Sequence, residues 1–386
     1  MVRPSINVCE KTLLQLISYS QFGVGDNCFD YDLLDDVLSV ATVQSVLGLV
    51  VSSIPTDLMT EDVKILQDRQ TANYIRYLYE EDQLKKLLND NHIPFVILKG
   101  NAAAINYRTP SLRMMGDVDF IVLEDDFERT RQLMIDSGYS VLHEYKEGAR
   151  HMAFKKNKTE FELHHHFSYI EVDIELYIKD GIRDRVFGNI MGYEIPMLPK
   201  LANGLVLLVH MRTHMKSGLG LRHIVDWMMY VNAELDDEFW NNEFSPIVQE
   251  KGMETFAKVV TRMCQKYLGL RDSVTWCSDA DEELCESLLD SVFSSGNFGR
   301  GQGKGNQISA MITVFKREGL FRRLQRAGMF NWNLYKKHHW LKPFCWIYQV
   351  FRYMKQGFKL NRSSLQLIDD AKRGSDRYEL LKKLGI

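Results

Sequence analysis

Apolar positions recur at helical spacing over most of this chain and at strand spacing over one stretch. Residues 1–92 read as helix. Glu10 to Phe22 and Tyr31 to Ser52 carry apolar residues three and four apart, and Pro55-Thr56-Asp57 breaks the pattern. Thr60 then opens a long helix to about Asn91, apolar at Ile65, Ala72, Ile75, Leu78, Tyr79, Leu84, Leu87 and Leu88. The rhythm changes at Pro94. Phe95-Val96-Ile97-Leu98 is an apolar run ended by Lys99-Gly100, as a buried strand entering a turn would be. Ala102 to Tyr107 reads as a short helix. Asp117 to Leu123 is a second strand, with Val118, Phe120 and Val122 alternating against Asp117, Asp119 and Ile121. Glu124 to Ser137 is an amphipathic helix with an acidic first turn and Gly138 beyond its end. Tyr139 to Tyr145, His151 to Lys155 and Thr159 to Phe167 follow as strands of a mainly antiparallel extension, with turns at Glu147-Gly148 and Lys156-Asn157-Lys158.

Helical spacing returns after Pro199. One helix carries His210, Arg212 and His214, the Ser217-Gly218-Leu219-Gly220 loop follows, and Leu221 to Val231 is the next helix. Residues 294–306 are rich in Gly, Ser and Asn and read as a flexible linker. The fold class expected is α+β: a small mixed sheet within residues 93–196, flanked by helical regions at 1–92, 197–293 and 307–386, the last ending in a peripheral helix from Asp369.

Composition narrows the class. The 386 residues carry a net charge of −3, so no global charge points to nucleic acid. The six cysteines form no Cys-x-x-Cys pair and read as reduced thiols of a cytoplasmic protein. Met1 to Phe22 has no sustained apolar core, so no signal peptide is expected. Ser45 to Ile54, the most apolar segment, is too short to span a bilayer. Charge is uneven locally. Residues 1–92 hold 14 acidic and 7 basic side chains, and residues 307–362 hold 12 basic and 1 acidic, interleaved with aromatics. The acidic region reads as helical support. The basic aromatic region could stack on nucleic acid or lie on an anionic membrane; packing against the core, with some basic residues near the site, is the expectation.

The chemistry centres on Asp117 and Asp119. Alternate residues of a strand leave the same face, about 6–7 Å apart. Two carboxylates held so close repel, and a divalent cation relieves them. Alone, an Asp-x-Asp reads as a solvated strand end. Further acids, Glu160, Glu162, Glu171, Asp173 and Glu175, stand on or beyond the third of the later strands, and spacing alone does not choose among them as partners of the pair. His164-His165-His166 alternate faces of one strand and cannot readily ligate one ion, so no dedicated zinc site is expected. His210 and His214 stand at i and i+4, but no Glu lies between them, which removes the metalloprotease reading. Gly218 and Gly220 make no phosphate loop, because no strand precedes them and no Lys-Ser/Thr follows.

A strand, a Gly100 turn, a short helix, Arg113 and then Gly116-Asp117-Val118-Asp119 resembles the nucleotidyltransferase superfamily. More narrowly it is similar to the uncharacterised nucleotidyltransferase family, through Leu98-Lys99-Gly100, Arg113, Glu162-Leu163-His164, the His210/His214 helix, Arg222 to Asp226 and Trp340-Leu341-Lys342-Pro343-Phe344-Cys345-Trp346. Asn101 stands where the wider superfamily has Gly or Ser. The resemblance implies a metal-dependent, nucleotide-binding transferase that uses a nucleoside triphosphate such as ATP. In it Asp117 and Asp119 hold Mg²⁺ or Mn²⁺, and Glu162 is the third ligand or the base. Lys99, Gly100 and Arg113 meet the phosphates, with His164, His210 and His214 as contacts to nucleotide or acceptor. The acceptor is a small molecule, sugar, peptide or RNA. Phosphoryl transfer on the same scaffold, and a module that only binds nucleotide or a partner, are the alternatives.

Overall fold

The computed structural model describes residues 6–143, 151–167, 173–302, 309–310, 312–313, 316, 319–360 and 364–386. Helices α1 (Val8–Phe22), α2 (Leu34–Val43), α3 (Leu47–Val51) and α4 (Glu61–Asp90) precede the sheet. Thr60 caps α4 by accepting from the Val63 N–H. Strand β1 (Phe95–Leu98), helix α5 (Gly100–Ala104), strand β2 (Val118–Val122) and helix α6 (Phe127–Asp136) follow. Next come β3 (Ser140–His143), β4 (His151–Lys156) and β5 (Thr159–His164), then α7 (Glu175–Arg183), β6 (Val186–Ile190) and β7 (Tyr193–Met197). Helices α8 (Lys200–His214) and α9 (Leu221–Glu234) lead into the C-terminal helices.

The seven strands form one mixed sheet in the order β3-β4-β5-β2-β1-β7-β6. Pairs β2–β5 and β1–β7 are parallel, and the remaining pairs are antiparallel. The expected α+β class and the three-strand extension match this sheet. Helix α7 and the β6–β7 hairpin were not anticipated. The proposed Glu147-Gly148 turn, the alternative acid Glu171 and residues 303–308 of the glycine-rich stretch lie outside the described residues.

Both faces of the central strands are covered, which explains the unbroken apolar run of β1. Phe95, Ile97, Val118, Phe120, Phe161 and Leu163 face a core built with Tyr74, Tyr77, Leu78, Leu84 and Leu88 of α4. Val96, Leu98 and Ile121 face the larger core, made by α1, α2, α8, α9 and the helices after them. Asp119 alternates with Phe120 and so lies on this second face, toward α8 and α9.

Two C-terminal expectations are corrected. The final helix, Ser364–Lys383, is not peripheral: Leu380, Leu381, Leu384 and Ile386 join the larger core, and Arg377 donates to Ser295 Oγ and the Lys216 carbonyl. Helices Leu320–Asn331 and Cys345–Leu360 pack on each other, so closely that a Cβ on Gly328 would meet the Cys345 carbonyl. They leave Phe321, Phe330, Trp340, Phe344 and Phe351 exposed, so these aromatics do not serve to cover the core. Among the described residues no helix is long and apolar enough to cross a membrane.

Candidate active site

Strand register builds the site. Leu98 pairs with Asp119 across antiparallel β1 and β2, and Asp119 pairs with Glu162 across parallel β2 and β5. Paired residues share a face, so Asp119 and Glu162 emerge side by side, and Asp117, two residues before Asp119, joins them. Carboxylate oxygens of Asp117, Asp119 and Glu162 lie within 4.8 Å of one another. Among the described alternatives, Glu175 instead accepts from the Phe167 N–H, and Asp173 accepts from the Glu175 N–H.

The turn after β1 brings in the cation. Lys99 has φ 53° and ψ −131°, a conformation few residues other than glycine adopt, and Gly100 follows at φ 42°. Such strain costs about 1–3 kcal/mol and persists where the surroundings over-determine it. Here the Lys99 ammonium is held 2.8 Å from Asp119 Oδ1. His164 Nε2 lies 2.8 Å from the same oxygen and 3.6 Å from Glu162 Oε2, and His151 Nε2 lies 3.4 Å from Glu162 Oε1.

These neighbours separate the three acids. Repulsion from Asp119, and then burial, raise the Asp117 pKa. Burial alone would raise Asp119, but the Lys99 charge and the His164 hydrogen bond outweigh it and hold Asp119 well below the usual carboxylate range. Burial, Asp119 and Asp117 push Glu162 up to about 8. Three acids thus face one ammonium, and the cost of that imbalance falls on Asp117 and Glu162.

Arg113 is spent elsewhere. Its Nε and Nη2 donate to the two oxygens of Asp226 at 2.7 and 2.8 Å, and Tyr107 donates to Asp226 Oδ1 at 2.7 Å. Both Arg113 and Asp226 are buried. This clamp ties the segment before Asp117 to α9. Helix α4 holds the same segment from the other side: Tyr77 donates to the Gly116 carbonyl at 2.6 Å, and Gln70 donates to the Ser111 and Arg113 carbonyls. Glu81 accepts from Asn101 Nδ2 at 3.0 Å behind the Gly100 turn, and burial pushes its pKa up to about 8.

A second cation near the acids is Arg222, whose side chain makes no ion pair among the described residues. Its Nη1 donates to the Met114 carbonyl at 3.3 Å, its Nε has no partner, and it would stand 3.8 Å from a Cβ on Gly116. Its charge acts on Asp117. The Leu221-Arg222 start of α9 is fixed by Gln44, which accepts from the Leu221 N–H and, through its carbonyl, from the Arg222 N–H.

With this geometry in view, a family model described as uncharacterised nucleotidyltransferase matches residues 33–269. The chain belongs to that family. A solved structure, titled as an antigenic nucleotidyltransferase-like protein from Paracoccidioides brasiliensis, is similar at 14% identity and a TM-score of 0.31, over 53% of this chain and 95% of that one. No curated protein matches the chain.

The family match spans the strand-end acids, the Arg113–Asp226 clamp and the two histidines of α8. His210 and His214 do not pair with Asp226, whose oxygens go to Arg113 and Tyr107. They gather instead with His223 of α9, at ring-centroid separations of 4.4 to 4.9 Å. The start of the glycine-rich stretch is packed beside them rather than running free. Asn297 is buried and donates to Ser45 Oγ, and the Phe298 ring lies 4.8 Å from that of His214. Gly218 and Gly220 leave room for this approach, since a Cβ on either would collide with residues 297 or 299.

Proposed function

We propose that this family member is a metal-dependent nucleotidyltransferase that moves a nucleoside monophosphate from a nucleoside triphosphate to a hydroxyl-bearing acceptor. The observation that supports it most is the convergence of Asp117, Asp119 and Glu162 on one face with a charge deficit that Lys99 alone does not cancel. All-oxygen carboxylate donors suit Mg²⁺ or Mn²⁺. When bound, such an ion supplies charge neutralisation at the phosphates.

The chain's own residues do the rest. Asp117 and Asp119 hold the ion. Lys99 and the backbone of the Gly100 turn, with Arg222 opposite, orient the triphosphate by charge and hydrogen bonding. Arg113 positions: it fixes the loop that carries Asp117 while its charge stays with Asp226. Glu162, with its carboxyl kept basic by burial and two neighbouring acids, takes the proton of the acceptor hydroxyl as that oxygen attacks the α-phosphorus and pyrophosphate leaves. Catalysis on this reading is mainly positioning and charge neutralisation.

The test uses α- and γ-labelled nucleoside triphosphates with Mn²⁺ and pooled hydroxyl, sugar, peptide and RNA acceptors. Retention of the α label on an acceptor, with pyrophosphate released, is the expected result. Retention of the γ label would make the protein a phosphotransferase. Nucleotide binding unaffected by loss of the acids would make it a binding module.

A further inference from the structure

Beside the carboxylate site, and chemically unlike it, stands a cluster of three imidazoles. His210 and His214 are one turn apart on α8, and His223 reaches them from the first turn of α9. One ring nitrogen from each lies within 4.8 Å of the other two. His223 is only 2% exposed, and neither of its ring nitrogens has a hydrogen-bond partner. A buried imidazole with nothing on either nitrogen pays a desolvation cost of about 1–3 kcal/mol per unmet group. The fold keeps it nonetheless, stacked on His214 with interplanar angle 24°.

We propose that His210, His214 and His223 form a binding site for one borderline transition ion of the zinc type, separate from the hard-cation site at Asp117, Asp119 and Glu162. Three imidazoles are a donor set that zinc takes up, whereas magnesium prefers oxygen. Burial, reinforced by the Lys99 charge and the neighbouring rings, lowers the His210 pKa well below the usual value. Burial, His214 and Arg222 do the same for His223. A tetrahedral zinc site holds its imidazole nitrogens about 3.4 Å apart, so closing the set takes ring rotations that displace each nitrogen by about 1 Å. His210 and His214 are each half-buried, so the cluster is not sealed from solvent.

Positive charge nearby opposes the ion, and magnitudes decide the matter. Lys99 is paired with Asp119 and Arg113 with Asp226, and of the cations that act on His223 this leaves Arg222. A single repulsion at a few ångströms costs about 1–4 kcal/mol at the effective dielectric of such sites, against about 10–16 kcal/mol of apparent binding energy at structural zinc sites. Bound there, the ion would pin α8 to α9 across the 215–220 loop and so fix the wall that presents Arg222. This proposal does not depend on the nucleotidyl-transfer reading.

The test is calorimetric titration of Zn²⁺ into chelator-treated full-length protein, with Co²⁺ absorption as a second readout. Wild type should bind one equivalent tightly and give the visible bands of four-coordinate Co²⁺. His223→Gln and His214→Gln should each weaken binding by at least about 10- to 100-fold, with Mn²⁺ binding unchanged. His214 is partly exposed, so its variant carries the test should His223→Gln fail to fold. His151→Gln, which disables the other mixed cluster (His151, Glu162 and His164), and Asp117→Asn/Asp119→Asn should leave zinc binding intact. Four results would overturn the proposal: no stoichiometric binding by folded wild type; binding lost in His151→Gln or in the Asp pair; binding indifferent to every variant; or pyrophosphate, rather than zinc, requiring His214 and His223.

Discussion

Two groups of charges lie within a few residues of each other in this molecule, and they are built on opposite terms. Arg113 and Asp226 are buried and matched: one guanidinium meets one carboxylate through two hydrogen bonds, with Tyr107 as a third contact. Asp117, Asp119 and Glu162 are unmatched, Asp119 buried and the other two half-buried: three carboxyls face one ammonium, and two of them have raised pKa values. A matched buried pair is expensive to break and chemically idle. An unmatched set costs stability and is ready to take up a cation. On the reading proposed above, the first group serves architecture and the second chemistry.

The largest effect should come from breaking the matched pair. Asp226→Asn leaves the Arg113 charge buried and uncompensated, at a cost of about 3–5 kcal/mol, measured as a shift in urea midpoint. An equal loss from Asp117→Asn would mean that both groups are structural. Next, Asp119→Asn should lower kcat/KM by about 10²–10³-fold, the scale for losing one group that stabilises transition-state charge, while costing less stability than Asp226→Asn. Third, Asp117→Asn should keep or gain up to about 1 kcal/mol of stability in metal-free buffer, since a carboxylate raised by a like charge is relieved when neutralised. Mn²⁺ should raise the melting temperature of wild type and not of this variant.

The smallest effect concerns pH. Glu81 is raised to about 8 in the folded state, so the fold binds its proton more tightly than the unfolded chain does. Its contribution is fully present below the ordinary glutamate pKa and is lost as pH rises through about 8. Melting temperatures between pH 6 and 9 should therefore fall more for wild type than for Glu81→Gln. Parallel curves would show that Glu81 is ionised throughout.

The sequence carried the strand-end acids because local rules govern them. The Lys99-Gly100 turn, the alternation from Asp117 to Val122 and Glu162 on a later strand are all visible within a few residues. Arg113 was legible as a residue and not as a role: its partner is 113 positions away, and no local pattern distinguishes an arginine that meets phosphate from one that meets Asp226. His223 was missed because it sits in the apolar stripe of α9, next to Arg222, and only the crossing of α8 with α9 brings it to His210. Composition misled at the glycine-rich stretch. Glycine there read as freedom, yet residues 297–299 are packed against Ser45, His214 and the backbone at Gly218 and Gly220. The acidic N-terminal region read as a support, and the structure adds what it supports: Gln70, Tyr77 and Glu81 of α4 hold the two turns that carry Asp117 and Lys99.

If the unmatched acids form a metal-dependent nucleotide site, nucleotide affinity must depend on both the ion and the Asp pair. Calorimetric titration of ATP, GTP, CTP and UTP in the presence of Mn²⁺, into wild type and into Asp117→Asn/Asp119→Asn, tests it most directly. At least one nucleotide should bind wild type only with the ion present and should not bind the double variant, whose cooperative melt confirms that it is folded. Nucleotide binding that needs neither the ion nor the Asp pair would contradict that dependence.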